Sequence, residues 1–233
     1  LISAAMGRGL LEKRVRFKAV LFDLDGTLLD TIEDLTEAMN EVLRANGWPE
    51  HDPERFKYNV GLGVRVITTK SLPPEHRDEA TIEAATQAYN QAYDRRYKEK
   101  SRPYDGVDAL LAACAAAAMP MAVLSNKPNE FTRRMVDELL PGGRFEVVWG
   151  TRPGVPHKPD PAAALDIAAR FGVSPAEVLY LGDSEVDMET AQRAGMYPVG
   201  VLWGFRTADE LIASGARVLV KHPADLVDWL GGS

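Results

Sequence analysis

Six short apolar runs punctuate the chain: Phe17 to Phe22, Met121 to Leu124, Val147 to Trp149, Val178 to Leu181, Pro198 to Leu202 and Val218 to Val220. Each ends in polar or glycine residues, and none alternates, which is the pattern of strands buried on both faces. Between most of them the apolar positions recur at helical spacing, over Asp105 to Ala118, Asn129 to Leu140, Pro161 to Phe171, Val186 to Ala194 and Ala208 to Ala213. Ser174-Pro175-Ala176-Glu177 reads as a capping box with proline at the first helical position. This alternation of strand and helix predicts an α/β fold, a Rossmann-like, doubly wound parallel sheet.

The interval from Asp30 to about Lys100 breaks the alternation. It holds helical spacing at Ile32 to Ala45, Pro53 to Leu72 and Glu75 to Tyr97 and almost no strand candidate, so it predicts a separate α-helical insert. Within it Tyr89, Tyr93 and Tyr97 recur every four residues and predict one packed stripe. Ser101-Arg102-Pro103-Tyr104-Asp105-Gly106 reads as a linker back to the sheet. The expected division is therefore a core of 17–30 and 101–233, an insert of 31–100, and an N-terminal extension of 1–16 with Met6 as a candidate start.

Composition narrows the class. At 233 residues the chain is long enough for a substantial core. With 34 Asp and Glu against 27 Lys and Arg, its formal charge of −7 argues against a broad nucleic-acid or acidic-membrane surface. Arg95-Arg96 with Lys98 and Lys100 beside Glu99 reads as a solvated face. Cys114 is the single cysteine, which excludes an intrachain disulfide, fits a reducing cytoplasm and reads as a small buried helix residue. No uninterrupted apolar stretch reaches the length of a membrane span, so no membrane partner is expected. The pattern carries no signal of oligomeric state.

The chemistry concentrates where the apolar runs end. Asp23 and Asp25 follow Val20-Leu21-Phe22, and side chains two apart in an extended segment point to one face, so both carboxylates converge before Gly26 turns the chain. Acids this close repel unless a cation or a shared proton offsets them, which predicts a metal site with one carboxylate as nucleophile and the other as acid/base. Ser125-Asn126 follows a second run and Gly182-Asp183-Ser184-Glu185-Val186-Asp187 a third. Ligands of doubly wound folds bind beyond the carboxyl ends of the strands where strand order reverses, so these clusters are expected to meet. Lys158 stands in His157-Lys158-Pro159-Asp160-Pro161, where the following proline restricts its backbone and gives the ammonium a defined direction suited to phosphate.

Asp23-Leu24-Asp25-Gly26-Thr27, Leu124-Ser125-Asn126, Lys158-Pro159 and the Gly182 to Asp187 segment together resemble the four ordered motifs of the haloacid dehalogenase-like phosphohydrolases. The resemblance covers Phe17 to Leu230. A helical insert directly after the first motif is similar to the cap domain of the subgroup with phosphoglycolate phosphatases, similarly built pyrophosphatases and β-phosphoglucomutases. The resemblance implies that Asp23 attacks phosphorus to form an aspartyl-phosphate, and that Asp25 protonates the leaving alkoxide and then activates water. It implies Mg²⁺ held by the Asp23 carboxylate, the Asp25 carbonyl and the Asp183 carboxylate, with Asp187 orienting a metal-bound water or Lys158. Thr27, Ser125, Asn126 and Lys158 are implied as holders of the phosphate oxygens.

The second aspartate, Asp25, sets the chain apart from the dehalogenases, which resemble it at the nucleophile alone. Asn59-Val60-Gly61-Leu62-Gly63-Val64-Arg65 resembles the subgroup's specificity loop; its Arg65 is either a partner for a second anionic group of the substrate or a solvated helix residue. The Trp203-Gly204-Phe205-Arg206 turn is similar to one in phosphoglycolate phosphatases, and either lines the entrance or packs in the core. The implied activity is Mg²⁺-dependent hydrolysis of a small phosphorylated metabolite, phosphoglycolate foremost. A phosphomutase, a pyrophosphatase and a non-catalytic binding protein of the same fold are the alternatives.

Overall fold

The structure, a computed structural model, describes residues 17–227. The expected extension at 1–16 lies outside the described residues. The six apolar runs form one parallel sheet of β1 (Ala19–Phe22), β4 (Met121–Pro128), β5 (Phe145–Thr151), β6 (Val178–Gly182), β7 (Tyr197–Val201) and β8 (Val218–Val220). Its order is β5-β4-β1-β6-β7-β8, so the chain runs outward from β1 to one edge, then returns beside β1 and runs to the other. Phe22 stands in register with Val123 of β4 and Leu181 of β6, which brings the carboxyl ends of all three strands together. That is the switch point the sequence pattern calls for.

Residue alternation along β1 divides the core. Val20 and Phe22 face one way, into a cluster with Val107, Leu110 and Leu111 of α5 (Val107–Ala116) and Met135 and Val136 of α6 (Asn129–Leu139). Ala19 and Leu21 face the other way, against Ala164, Ile167 and Ala168 of α7 (Ala162–Phe171) and Ala191 and Ala194 of α8 (Glu185–Ala194). Small residues on both partners allow close helix-to-sheet approach, and each large buried aliphatic contributes about 1.5–3 kcal/mol over its exposed state. Cys114 is buried on α5, and burial pushes its thiol up to about 12. The last crossover helix is α9 (Ala208–Ala213), capped by Thr207. Among the described residues no helix is long and apolar enough to cross a membrane.

The segment that leaves the sheet after Asp30 is helical: α1 (Ile32–Ala45), α2 (Pro53–Phe56), α3 (Val64–Ser71) and α4 (Glu79–Arg96). Leu35, Met39, Val42 and Leu43 of α1 and Ile82, Ala85, Tyr89, Ala92 and Tyr93 of α4 are buried at helical spacing, and the two helices pack along each other. The expected tyrosine stripe is present, with all three rings buried.

One local expectation is corrected. Pro53 to Leu72 is not one helix: a 3₁₀ turn at Lys57–Asn59 and a loop interrupt it, because Gly61 at φ 123° and Gly63 at φ 93° adopt backbone conformations closed to a helix of L residues. The capping box expected at Ser174 to Glu177 is present, on a single 3₁₀ turn, Pro175–Glu177, which feeds straight into β6. The linker also contains structure. Arg102–Pro103 forms β3, antiparallel to β2 (Leu29–Asp30), so the two strands leading into and out of the insert pair with each other. The buried Asp34 carboxylate holds this exit, accepting the Lys100 N–H at 3.0 Å, the Ser101 N–H at 2.8 Å and the Ser101 hydroxyl at 2.7 Å.

Candidate active site

Asp23 is the first residue beyond β1, anchored by its N–H to the Leu181 carbonyl at 2.9 Å. Its Oδ1 accepts from Lys158 Nζ at 2.7 Å. The same ammonium donates to Asp187 Oδ1 at 2.7 Å and to the Leu124 carbonyl at 2.9 Å, so all three of its protons have partners. Lys158 thus ties together the ends of β1 and β4 and the first turn of α8. Burial works against its charge, but Asp187 and Asp23 outweigh burial and hold the ammonium well above its ordinary pKa. The Lys158–Pro159 peptide is cis, and the Lys158 backbone N–H donates to Asn126 Oδ1 at 2.9 Å.

Asp187 reaches Lys158 because it is the third residue of α8, in a capping box with Ser184. Its Oδ2 accepts the Ser184 N–H at 3.2 Å, and the Ser184 hydroxyl donates to the same oxygen. Both oxygens are therefore occupied by protein donors, which suits Asp187 to fixing Lys158. Asp183 lies fully buried at the end of β6, its Oδ2 accepting the Phe205 N–H at 2.7 Å. Gly26 makes room for it: at φ 85° a Cβ there would fall 2.1 Å from Asp183 Oδ2.

The electrostatics of this group is one-sided. Carboxylate oxygens of Asp23, Asp183 and Asp187 lie within 4.8 Å of one another, all buried, against a single ammonium. Burial and then Asp187 push Asp23 up to about 7, against the opposing pull of Lys158. Burial, Asp23 and Asp187 push Asp183 well above the usual carboxylate range, although the Phe205 N–H and Arg206 oppose them. A dry cluster of hard oxygen donors with surplus negative charge fits a small divalent cation such as Mg²⁺.

Asp25 forms a second ion pair across the cavity. Its Oδ1 accepts from the Thr31 hydroxyl at 2.8 Å and from Lys127 Nζ at 3.1 Å. Lys127 is itself buried, donates to the Tyr93 hydroxyl at 2.8 Å, and sits 4.3 Å from the Tyr93 ring centre. Burial lowers its pKa, with Asp25 opposing. Arg206 bridges the core to the insert: its Nε meets Glu185 at 3.0 Å, and its terminal nitrogens meet the Lys57 and Val60 carbonyls at 2.9 and 3.3 Å. The Asn126 amide does the same, donating to the Gly61 carbonyl and to the Lys158 carbonyl, each at 2.9 Å.

The resulting cavity holds about 50 Å³. Asp23, Asp25, Ser125, Asn126, Lys158 and Asp183 line it from the core, and Val64, Ile67 and Tyr89 from the insert. Of the residues expected at the site, two are placed elsewhere. Thr27 is buried behind the cavity, its hydroxyl 3.4 Å from Asp183 Oδ1, where it supports that carboxylate. Arg65 is off the cavity wall, paired with Glu79 at 2.6 Å and Glu83 at 3.5 Å on the outer side of α3 and α4. The Trp203 turn backs the site: the indole N–H donates to the Thr27 carbonyl at 2.9 Å, and Phe205 holds Asp183. Lys127, Thr31 and Tyr89 are absent from the sequence-derived site. Lys127 carried a signal, a cation directly after Ser125-Asn126 at the end of an apolar run, whereas Thr31 and Tyr89 read only as a helix start and a packing stripe.

Residues 20–201 match the family model of the haloacid dehalogenase-like hydrolases. Over 219 residues the chain is 34% identical to an N-acetylmuramic acid 6-phosphate phosphatase of Pseudomonas aeruginosa, covering 94% of this chain and 96% of that one. Over 210 residues it is 30% identical to a phosphoglycolate phosphatase of Aquifex aeolicus, covering 90% and 95%. A solved structure of a supposed phosphoglycolate phosphatase from Lactobacillus delbrueckii subsp. bulgaricus superposes with a TM-score of 0.87 at 30% identity, covering 94% of this chain and all of the other.

Proposed function

This chain belongs to the haloacid dehalogenase-like hydrolases and is a phosphatase among them, and from that premise we propose that it hydrolyses a small phosphomonoester, phosphoglycolate foremost, through an aspartyl-phosphate. The observation that carries this reading is that Asp23 and Asp25 line one cavity, each paired with its own buried lysine. Asp23, oriented by Lys158, attacks phosphorus in line with the ester oxygen. Asp25, oriented by Thr31, gives its proton to that oxygen as the bond to phosphorus breaks. The alcohol leaves, and Asp25, now a carboxylate, takes a proton from the water that attacks the aspartyl-phosphate and frees Asp23. Splitting the displacement in two replaces one difficult step with two easier ones.

Ser125 lines the cavity beside Lys158 and is proposed to bind the transferring phosphate, with Lys158 exchanging a carboxylate partner for a phosphate oxygen as the substrate enters. A Mg²⁺ ion would be held by the carboxylates of Asp23 and Asp183 and the carbonyl of Asp25. It would offset the repulsion between an anionic nucleophile and an anionic phosphate. The proposed catalytic core spans 17–30 and 101–233, and the insert of 31–100 acts as its cap, covering the site while the substrate is bound. The P. aeruginosa relative favours a second reading, a sugar-acid phosphate as substrate. The phosphoglycolate phosphatase of A. aeolicus and the L. delbrueckii structure support the smaller ester.

Incubating the purified protein with Mg²⁺ and either phosphoglycolate or p-nitrophenyl phosphate and measuring released phosphate tests the proposal. Saturable release is expected from at least one of them. A folded, metal-replete protein that releases none across neutral pH is not such a phosphatase. Isomerisation of a sugar phosphate in preference to release of phosphate to water would instead make it a mutase.

A further inference from the structure

The cavity is bordered by more cationic groups than phosphate transfer requires. Lys158 has all three ammonium protons engaged, and Arg206 has Nε and both terminal nitrogens engaged by Glu185 and two insert carbonyls. Arg65 faces away, toward Glu79 and Glu83. Lys127 differs. Its ammonium has two partners among the described residues, Asp25 Oδ1 and the Tyr93 hydroxyl, which leaves one proton to give. Its side chain is only 6% exposed, and it lines the cavity. Tyr89 lines the same cavity from the insert, and its buried hydroxyl has no hydrogen-bond partner among the described residues. A buried hydroxyl left without a partner is destabilising, so an oxygen from a ligand is the natural complement.

Resting on the phosphatase reading above, we propose that Lys127 is the specificity-determining cation of this site, receiving a carboxylate carried one carbon from the ester oxygen, with the Tyr89 hydroxyl as second donor. The spacing makes the case. Asp25 delivers its proton to the ester oxygen, and Lys127 Nζ stands 3.1 Å from Asp25 Oδ1. In a 2-phosphooxy carboxylate a single carbon separates the ester oxygen from the carboxylate, so one small molecule places its ester oxygen at Asp25 and its carboxylate at Lys127. In N-acetylmuramic acid 6-phosphate a sugar ring intervenes between the two groups, and no such joint contact forms. Charge-assisted hydrogen bonds from an ammonium in a dry site give this selection its strength. The Tyr93 ring and hydroxyl hold the lysine in place from the opposite side.

Values of kcat/KM for phosphoglycolate, ethyl phosphate and 3-phosphooxypropionate test the inference on the wild-type protein. Phosphoglycolate is expected to be favoured about 10- to 100-fold over both others, the range of one charge-assisted hydrogen bond. In Lys127→Met the ratio of phosphoglycolate to ethyl phosphate is expected to fall by a similar factor; the ratio cancels losses common to both esters through Asp25. Tyr89→Phe is expected to lower the same ratio a few-fold. A ratio unchanged in folded Lys127→Met overturns the inference. So does wild-type protein that hydrolyses the three esters equally, or that prefers N-acetylmuramic acid 6-phosphate, and these comparisons decide even if the variant fails to fold. In each of those cases the phosphatase reading stands. Failure to hydrolyse these esters overturns the inference, and failure on p-nitrophenyl phosphate as well overturns that reading with it.

Discussion

Asp23 and Asp187 share one ammonium, and the sharing sets what each can do. Asp187 has no oxygen to spare, since Lys158 and Ser184 take both. Asp23 must exchange its lysine contact for phosphorus, and its charge is costly in the free protein, as its elevated pKa of about 7 shows. Asp23→Asn keeps the volume and removes both the nucleophile and that charge. Hydrolysis is expected to fall at least about 10³-fold, as it does when an enzyme loses its nucleophile. The midpoint of thermal unfolding without metal at neutral pH is expected to hold or rise, because the surplus negative charge is reduced. Activity within tenfold of wild type would remove Asp23 from the attacking role. A sharp loss of stability would show that Lys158 needs both carboxylates.

At the scale of elements, Asp34 joins helix to strand. It lies in the first turn of α1, where an acid also suits the helix dipole, yet its oxygens hold the backbone of Lys100 and Ser101 at the far end of the insert. Asp34→Ala strands a buried N–H and is expected to cost about 1–3 kcal/mol. Asp34→Asn, which keeps one acceptor, is expected to cost about half as much. Urea unfolding with an unchanged slope checks this, and equal stability of all three proteins would show that β2 and β3 need no tie. This tie marks the limit of legibility in the sequence. Strands and crossover helices announce themselves by local period, and α1 begins and ends where its apolar stripe does. Strands of two residues such as β2 and β3 have no period to read. Lys127 and Asp25 meet only because β4 lies beside β1, a contact between residues about a hundred positions apart. Arg65 shows why a loop motif is insufficient. Gly63 starts α3 so that Val64 and Ile67, three apart, face the cavity while Arg65, a third of a turn away, faces α4.

For the whole molecule, buried acids couple folding to pH and to metal. In the unfolded chain Asp23 and Asp183 titrate near 4, but in the folded one Asp23 titrates near 7 and Asp183 well above its ordinary range. Between those values the folded state binds more protons than the unfolded one, so stability without metal falls as pH rises from about 5 to 7, on the order of a few kcal/mol. Lys158, with its pKa raised, contributes stability that is lost only above its unfolded value near 10.5, outside this window. Exposed acids such as Glu33, Glu138 and Glu177, each lowered by a lysine or hydroxyl partner, act in the opposite direction below about 4.5 and are weak. A divalent cation binds the ionised carboxylates and competes with protons for them, so it stabilises most where the free protein is weakest. Thermal unfolding in chelator and in Mg²⁺ at pH 5 and pH 8 is therefore expected to show a small shift with metal at pH 5 and a larger one at pH 8. Equal shifts at both values would mean that the cation does not bind at the carboxylates of Asp23 and Asp183.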